Sequence, residues 1–83
     1  MNLQTKTLKD YLVIEFDGRL DAVTADEVEV QIYDLINLGN KNIIFDFSNL
    51  TFISSLGLRV VLATLKKIKA LSGKLRVCNM NEE

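Results

Sequence analysis

Two adjacent hydroxyls, Ser54 and Ser55, stand where an apolar stretch ends and a helical repeat begins. A helix start presents backbone N–H groups without partners and a partial positive charge, which suits a serine cap and suits a phosphate better still. On position alone two roles stay open for this pair: an N-cap worth about 1 kcal/mol, or an acceptor for a phosphoryl group. Other chemistry is poorly supplied. The chain holds no histidine, so a serine or cysteine nucleophile has no imidazole base. Cys78 is the single cysteine, which excludes an internal disulfide and, without histidine, a Cys/His metal site. Asp21 and Asp46 could pair as acid and base in a cleft, yet no other residue supplies a substrate pocket. Asp21 is expected instead to tie down its own turn or to touch a partner. Gly57 and Gly73 lack the lysine and glycine spacings of a phosphate-binding loop.

Closely spaced strands and helices position this segment. Leu3 to Leu8 alternates weakly between apolar and polar, and Tyr11 to Phe16 is β-branched and aromatic, so the two read as a hairpin. The stretch Asp17–Asp21 breaks that pattern. Thr24-Ala25-Asp26-Glu27 has the spacing of a capping box. Val28, Ile32, Leu35 and Ile36 then form one apolar stripe that Gly39 ends, predicting a helix over 25–38. Asn42 to Phe47 is nearly continuous in apolar character, the pattern of a central strand covered on both faces. After a loop over 48–54, Leu58, Val61, Leu62, Leu65 and Ile68 recur at helical spacing and predict the core stripe of a second helix, 55–71, closed by Ser72-Gly73. Leu56, Val60 and Ala63 fall outside that stripe, so this helix is expected to pack on the sheet and on something else. Leu75 to Cys78 reads as a last strand. The order β-β-α-β-α-β implies parallel pairing with right-handed crossovers.

With 83 residues, 48% hydrophobic and 25% charged, the chain has the composition of one soluble domain, residues 1–83, burying about 60–65% of its unfolded surface. No proline or low-complexity stretch marks a linker. No apolar run approaches the ~18–20 residues of a membrane span, and no basic segment with a short apolar core opens the chain, so no membrane partner and a cytoplasmic location are expected. The net charge of −1 conceals a division: residues 10–34 hold eight acids and one arginine, whereas residues 47–81 hold six basic residues and no acid. Such a bipolar surface can orient a protein partner during encounter. Arg59, Lys66, Lys67 and Lys69 have no aromatic platform beside them and read as a solvated helix face, so no nucleic acid is expected.

The segment Asp46-Phe47-Ser48-Asn49-Leu50-Thr51-Phe52-Ile53-Ser54-Ser55-Leu56-Gly57-Leu58 resembles the signature of the STAS family: an acidic or amide residue ending a strand, a hydroxyl two residues on, an aromatic, then aspartate-serine-small-glycine opening a helix. Gly18-Arg19-Leu20-Asp21 resembles the family's glycine-x-leucine-aspartate turn, and the likeness covers most of the chain. It implies an α/β fold, a mixed sheet with its helices packed on one side, serving as a protein-binding module without enzymatic activity or cofactor. In antagonist members the serine directly after the signature aspartate is the phosphoacceptor, which carries over to Ser55. Here Ser54 occupies the aspartate's position and Leu56 that of the usual small hydroxyl residue.

The resemblance implies an anti-sigma factor antagonist. Its unphosphorylated form binds an anti-sigma factor serine kinase, phosphorylation at Ser55 releases it, and a protein phosphatase resets it. The implied partner surface comprises Asp21, Thr24, Asp46, Ser48, Ser54, Leu56, Gly57 and Arg59. A second reading keeps the fold and drops the switch: a STAS protein-interaction domain of another assembly, such as a transporter-associated or stress-signalling complex. Family members usually continue with another helix, whereas this chain stops at Met80-Asn81-Glu82-Glu83 and lacks the usual C-terminal helix. This suggests dimerisation, a truncated piece or a naturally abbreviated domain, and self-association, with a homodimer as one form, is an expectation for the isolated chain.

Overall fold

A computed structural model describes residues 1–79. The elements are β1 (Asn2–Leu8), β2 (Tyr11–Leu20), α1 (Ala25–Asn37), β3 (Asn42–Ile53), α2 (Ser55–Ala70) and β4 (Lys74–Cys78). The sheet runs β1-β2-β3-β4. β1 and β2 form the expected antiparallel hairpin around Lys9, whose φ of 55° makes the tight turn. β2, β3 and β4 are parallel and are joined through the two helices.

Register decides which side chains face the helices. Ile14 lies beside Phe45 and Leu12 beside Ile43, so strand alternation places Ile14, Phe16, Ile43, Phe45 and Phe47 on one face. These meet Val28, Ile32 and Ile36 of α1 and Val60 and Ile68 of α2 in a single core. Phe16 sets its ring edge-on to Phe45 and Phe47, with centroids 4.9 and 5.0 Å away, a favoured aromatic geometry. The opposite face carries Lys6, Val13, Glu15, Ile44, Asp46 and Arg76, and no helix among the described residues lies over it. The expectation of a central strand covered on both faces is thus corrected: Ile43 is buried while its neighbour Ile44 is only partly so.

Two strands run further than their sequence pattern. β2 continues through Asp17–Leu20, and β3 replaces the loop expected over 48–54 with strand as far as Ile53. Register shifts between Glu15 and Asp17 and between Gly18 and Arg19, with Gly18 at φ 118°, upset the period-two alternation there. Polar residues in the upper half of β3 have a second cause. β4 ends opposite Asp46, so among the described residues β3 pairs with β2 alone from Phe47 onward.

The core face of α2 also differs from expectation. Gly57, Val60, Thr64 and Ile68 are buried, at i, i+3, i+7 and i+11. Leu58 is 49% exposed and Leu62 64% exposed, so the leucines expected to head the core stripe lie outside it. Thr64 is wholly buried because its hydroxyl donates to the Val60 carbonyl at 2.8 Å and needs no outside partner. The helix ends are likewise specific. Gly39, at φ 109°, follows α1 as expected, whereas after α2 the left-handed residue is Ser72, at φ 60°, not Gly73. The capping box at Thr24 does not form: Thr24 is the N-cap of α1, but its hydroxyl is engaged in the preceding turn.

Candidate functional site

The upper ends of β2 and β3 hold the start of α2. The Ser54 amide donates to the Leu20 carbonyl at 2.9 Å, joining the helix entry to the end of β2. Ser54 is extended, at φ −92° and ψ 175°, and its Oγ accepts from the Gly57 amide at 3.3 Å. It is therefore the N-cap, partly buried and committed. Ser55 is the first helical residue and is exposed; its hydroxyl makes no hydrogen bond with the described residues. No acidic residue occupies the first turn of α2, leaving its partial positive charge uncompensated.

Gly57 explains how close the helix comes. A Cβ there would stand 2.6 Å from the Leu20 carbonyl oxygen and 2.9 Å from side-chain carbons of Leu20 and Ile53. Gly57 is accordingly buried beneath the site rather than displayed on it, while Leu56 and Arg59 on the same helix are exposed.

Beside this helix entry stands the turn leading to α1. Asp21 Oδ1 accepts from the Val23 amide at 3.0 Å and the Thr24 amide at 3.3 Å, and the Asp21 carbonyl accepts from the Ala25 amide at 2.9 Å. Thr24 Oγ1 donates to the Arg19 carbonyl at 2.8 Å and accepts from the Asp21 amide at 3.0 Å. Burial pushes the Asp21 carboxyl up, but the Val23 amide, the Arg19 side chain and the Thr24 amide outweigh it, holding the group below its ordinary value of 3.8. Asp21 and Thr24 thus shape the turn and hold Val23, 87% exposed, out in solvent.

Arg19 and Phe52, which lie within the quoted motifs but outside the implied partner surface, form the outer wall. The Arg19 guanidinium lies 4.3 Å from the Phe52 ring centroid and its Nε donates to Asp21 at 3.3 Å. The signal was present in alternation: both residues are the neighbours of core-facing positions, Leu20 and Ile53, and are paired with each other across β2 and β3.

Asp46 and Ser48 belong elsewhere. Asp46 pairs with Glu15, five residues of β2 before Leu20, which places it roughly 16 Å from the level of Ile53. Its Oδ1 accepts from Asn79 Nδ2 at 2.8 Å and from the Ser48 amide at 3.0 Å, and these bonds, Asn79 foremost, lower its carboxyl below 3.8. Here it fastens the end of β4 to β3. The sequence-predicted residues therefore form a cluster of Asp21, Thr24, Ser54, Ser55, Leu56 and Arg59, with Asp46 and Ser48 apart from it.

This arrangement of turn, sheet end and helix entry carries a family pattern described as STAS domain, which matches residues 2–83. The chain belongs to the STAS domain family. It is 33% identical over 84 residues to an anti-sigma F factor antagonist of Paenibacillus polymyxa, covering 98% of this chain and 72% of that one. Bacillus SpoIIAA, an anti-sigma factor antagonist solved in unphosphorylated and phosphorylated forms, superposes with a TM-score of 0.80 for each. The identities are 26% and 25%, over 96% and 98% of this chain and 74% and 75% of SpoIIAA. A Thermotoga maritima protein superposes with a TM-score of 0.91 at 23% identity, over 96% of this chain and 69% of its own, a likeness of fold alone. The four-stranded mixed sheet with two helices is the fold these structures share. No helix among the described residues is long and apolar enough to cross a membrane.

Proposed function

We propose that this STAS domain is a phosphorylation-switched anti-sigma factor antagonist of the cytoplasm, acting as a binding module and not as an enzyme. Its unphosphorylated form binds an anti-sigma factor serine kinase through the Asp21–Thr24 turn and the start of α2. The kinase transfers the γ-phosphoryl group of ATP to Ser55 Oγ, the phosphoprotein leaves, and a phosphatase restores the hydroxyl. Release follows from charge: about two negative charges appear in a contact made for a neutral hydroxyl.

The observation that carries this reading is the division between the two serines. Ser54 spends its oxygen on the Gly57 amide, while Ser55 is exposed with its hydroxyl uncommitted, at a helix start that lacks acid. Incubation of the chain with an anti-sigma factor kinase and ATP, followed by mapping of the phosphate by mass spectrometry, tests it. Phosphate is expected on Ser55 in the wild type and in Ser54→Ala, and nowhere in Ser55→Ala. Phosphate on Ser54 or Thr51 would overturn the assignment.

A second reading has its own observation. Ser54 supplies a cap but no negative charge beside the acceptor, and Leu56 is apolar and 39% exposed, features that suit a constitutive protein contact in another assembly. In that case no kinase modifies the chain, and affinity capture returns a partner unrelated to sigma factors.

A further inference from the structure

Arg19 is the one basic residue between Asp10 and Asn40, a stretch that holds eight acids. Its side chain is 60% exposed, yet it is held in place. The guanidinium lies over the Phe52 ring, Nε donates to Asp21 Oδ2, and the Arg19 carbonyl accepts from Thr24 Oγ1. The backbone beside it is pinned as well: Thr51 Oγ1 donates to the Gly18 carbonyl at 3.0 Å, tying β3 to β2 one residue before Arg19. A register shift stands between Gly18 and Arg19, the kind of irregularity by which a strand redirects a side chain.

An exposed arginine ordinarily loses rotamer freedom when it binds a partner. Here much of that loss is met on folding. Of the five N–H donors of a guanidinium, the one on Nε goes to Asp21, and neither Nη nitrogen makes a hydrogen bond with the described residues. The two Nη groups form the far edge of the planar group, whose parallel N–H bonds match the two oxygens of a carboxylate. The Asp21 turn does not need this arginine, because the Val23 and Thr24 amides already hold the aspartate. The edge also stands at the helix entry: Phe52 is three residues before Ser55, and Leu20, next to Arg19, accepts from the Ser54 amide. With Asp17 and Asp21 on either side in sequence, an incoming acid is repelled by its neighbours and attracted at Arg19, which fixes where it settles.

We infer that the Nη edge of Arg19 receives an aspartate or glutamate carboxylate of the anti-sigma factor kinase, and that this contact sets the register of the partner on the Ser55 end. The inference rests on the proposed function, since it names a contact made by that same partner.

Titration calorimetry of the anti-sigma factor kinase tests it, using as parent the chain with Ser55→Ala, which cannot be phosphorylated at that position. Adding Arg19→Gln should weaken binding about 20-fold or more, the loss of a charge-assisted pair of hydrogen bonds. Arg19→Lys keeps the charge and a group that can pair with Asp21 but has no fork, and should weaken binding about tenfold. Melting temperatures should stay within about 2 °C of the parent, as for other exposed ion pairs. Raising salt from about 0.05 M to about 0.5 M should weaken the parent complex more than the Arg19→Gln complex. A parent that does not bind would overturn the proposed function and this contact with it. A parent that binds, with Arg19→Lys or Arg19→Gln binding equally well, would overturn the inference alone. So would equal salt dependence of parent and Arg19→Gln, which would show a neutral acceptor, or weaker binding that appears only with a melting temperature lowered by about 5 °C or more, which would confine Arg19 to shaping its own turn.

Discussion

Ser54 and Ser55 are neighbours whose hydroxyls have different duties, and their substitutions should separate accordingly. Ser54→Ala removes the acceptor for the Gly57 amide and should cost about 1 kcal/mol in denaturant titration. Ser55→Ala removes an uncommitted oxygen and should cost little. Ser55→Asp should stabilise by roughly 0.3–1 kcal/mol, since a carboxylate is favoured beside an acid-free helix start, while weakening the partner contact. Opposite movement of stability and affinity is not expected of a simple cap. The aspartates supply a pH test. Asp21 and Asp46 are both held below 3.8 in the folded chain, so as pH falls the unfolded chain takes up protons first. The stability they contribute is whole above that value and is lost as pH falls through their folded values. Asp46→Asn should therefore flatten the acid limb of a melting-temperature profile below about pH 4, and an unchanged limb would show that the Asn79 and Ser48 bonds do not favour the carboxylate. Of the residues that the family resemblance groups, the Asp21–Thr24 turn and the start of α2 come together, whereas Asp46 and Ser48 do not. The Arg19–Phe52 wall was not legible in the sequence, because that contact depends on cross-strand register, which no local motif records.

At the scale of elements, α2 shows what periodicity can and cannot decide. Its residues carry two apolar rows, and the leucine row is the more hydrophobic in sequence, yet the row of Gly57, Val60, Thr64 and Ile68 is the one that packs. Two features hide it: a threonine that satisfies its own hydroxyl, and a glycine whose missing side chain permits the approach to Leu20. Leu58→Asp, which the sequence pattern would place among unfolding changes, should cost less than about 1 kcal/mol. Val60→Asp should cost about 4 kcal/mol or more. Gly57→Ala should cost about 1–3 kcal/mol, since the backbone must move to admit a methyl group. Thermal melts of the three proteins rank them, and an intact melt for Val60→Asp would reverse the assignment of faces. Element order and strand pairing were legible because hydrophobic runs and turn residues mark them directly. The upper halves of β2 and β3 were not, because register shifts and, among the described residues, the end of pairing with β4 remove the alternation that identifies a strand.

In the whole molecule an acidic helix, α1, and a basic helix, α2, lie side by side above the sheet. Charge division was readable from composition along the chain: α1 carries four acids and no base, whereas α2 and β4 carry six of the ten basic residues and no acid. The Ser55 cluster lies at the end of that layer, where β2, β3 and α2 meet through the Ser54–Leu20 bond. A phosphate placed there adds charge without disturbing the core, so binding should change while the fold persists. The measurement that bears most directly on this is the equilibrium affinity of the anti-sigma factor kinase for the chain in its unphosphorylated form and with phosphate on Ser55, by titration calorimetry on the same preparation. Phosphorylation should weaken binding about tenfold or more at an unchanged melting temperature. Equal affinity for the two forms would contradict the switch at Ser55.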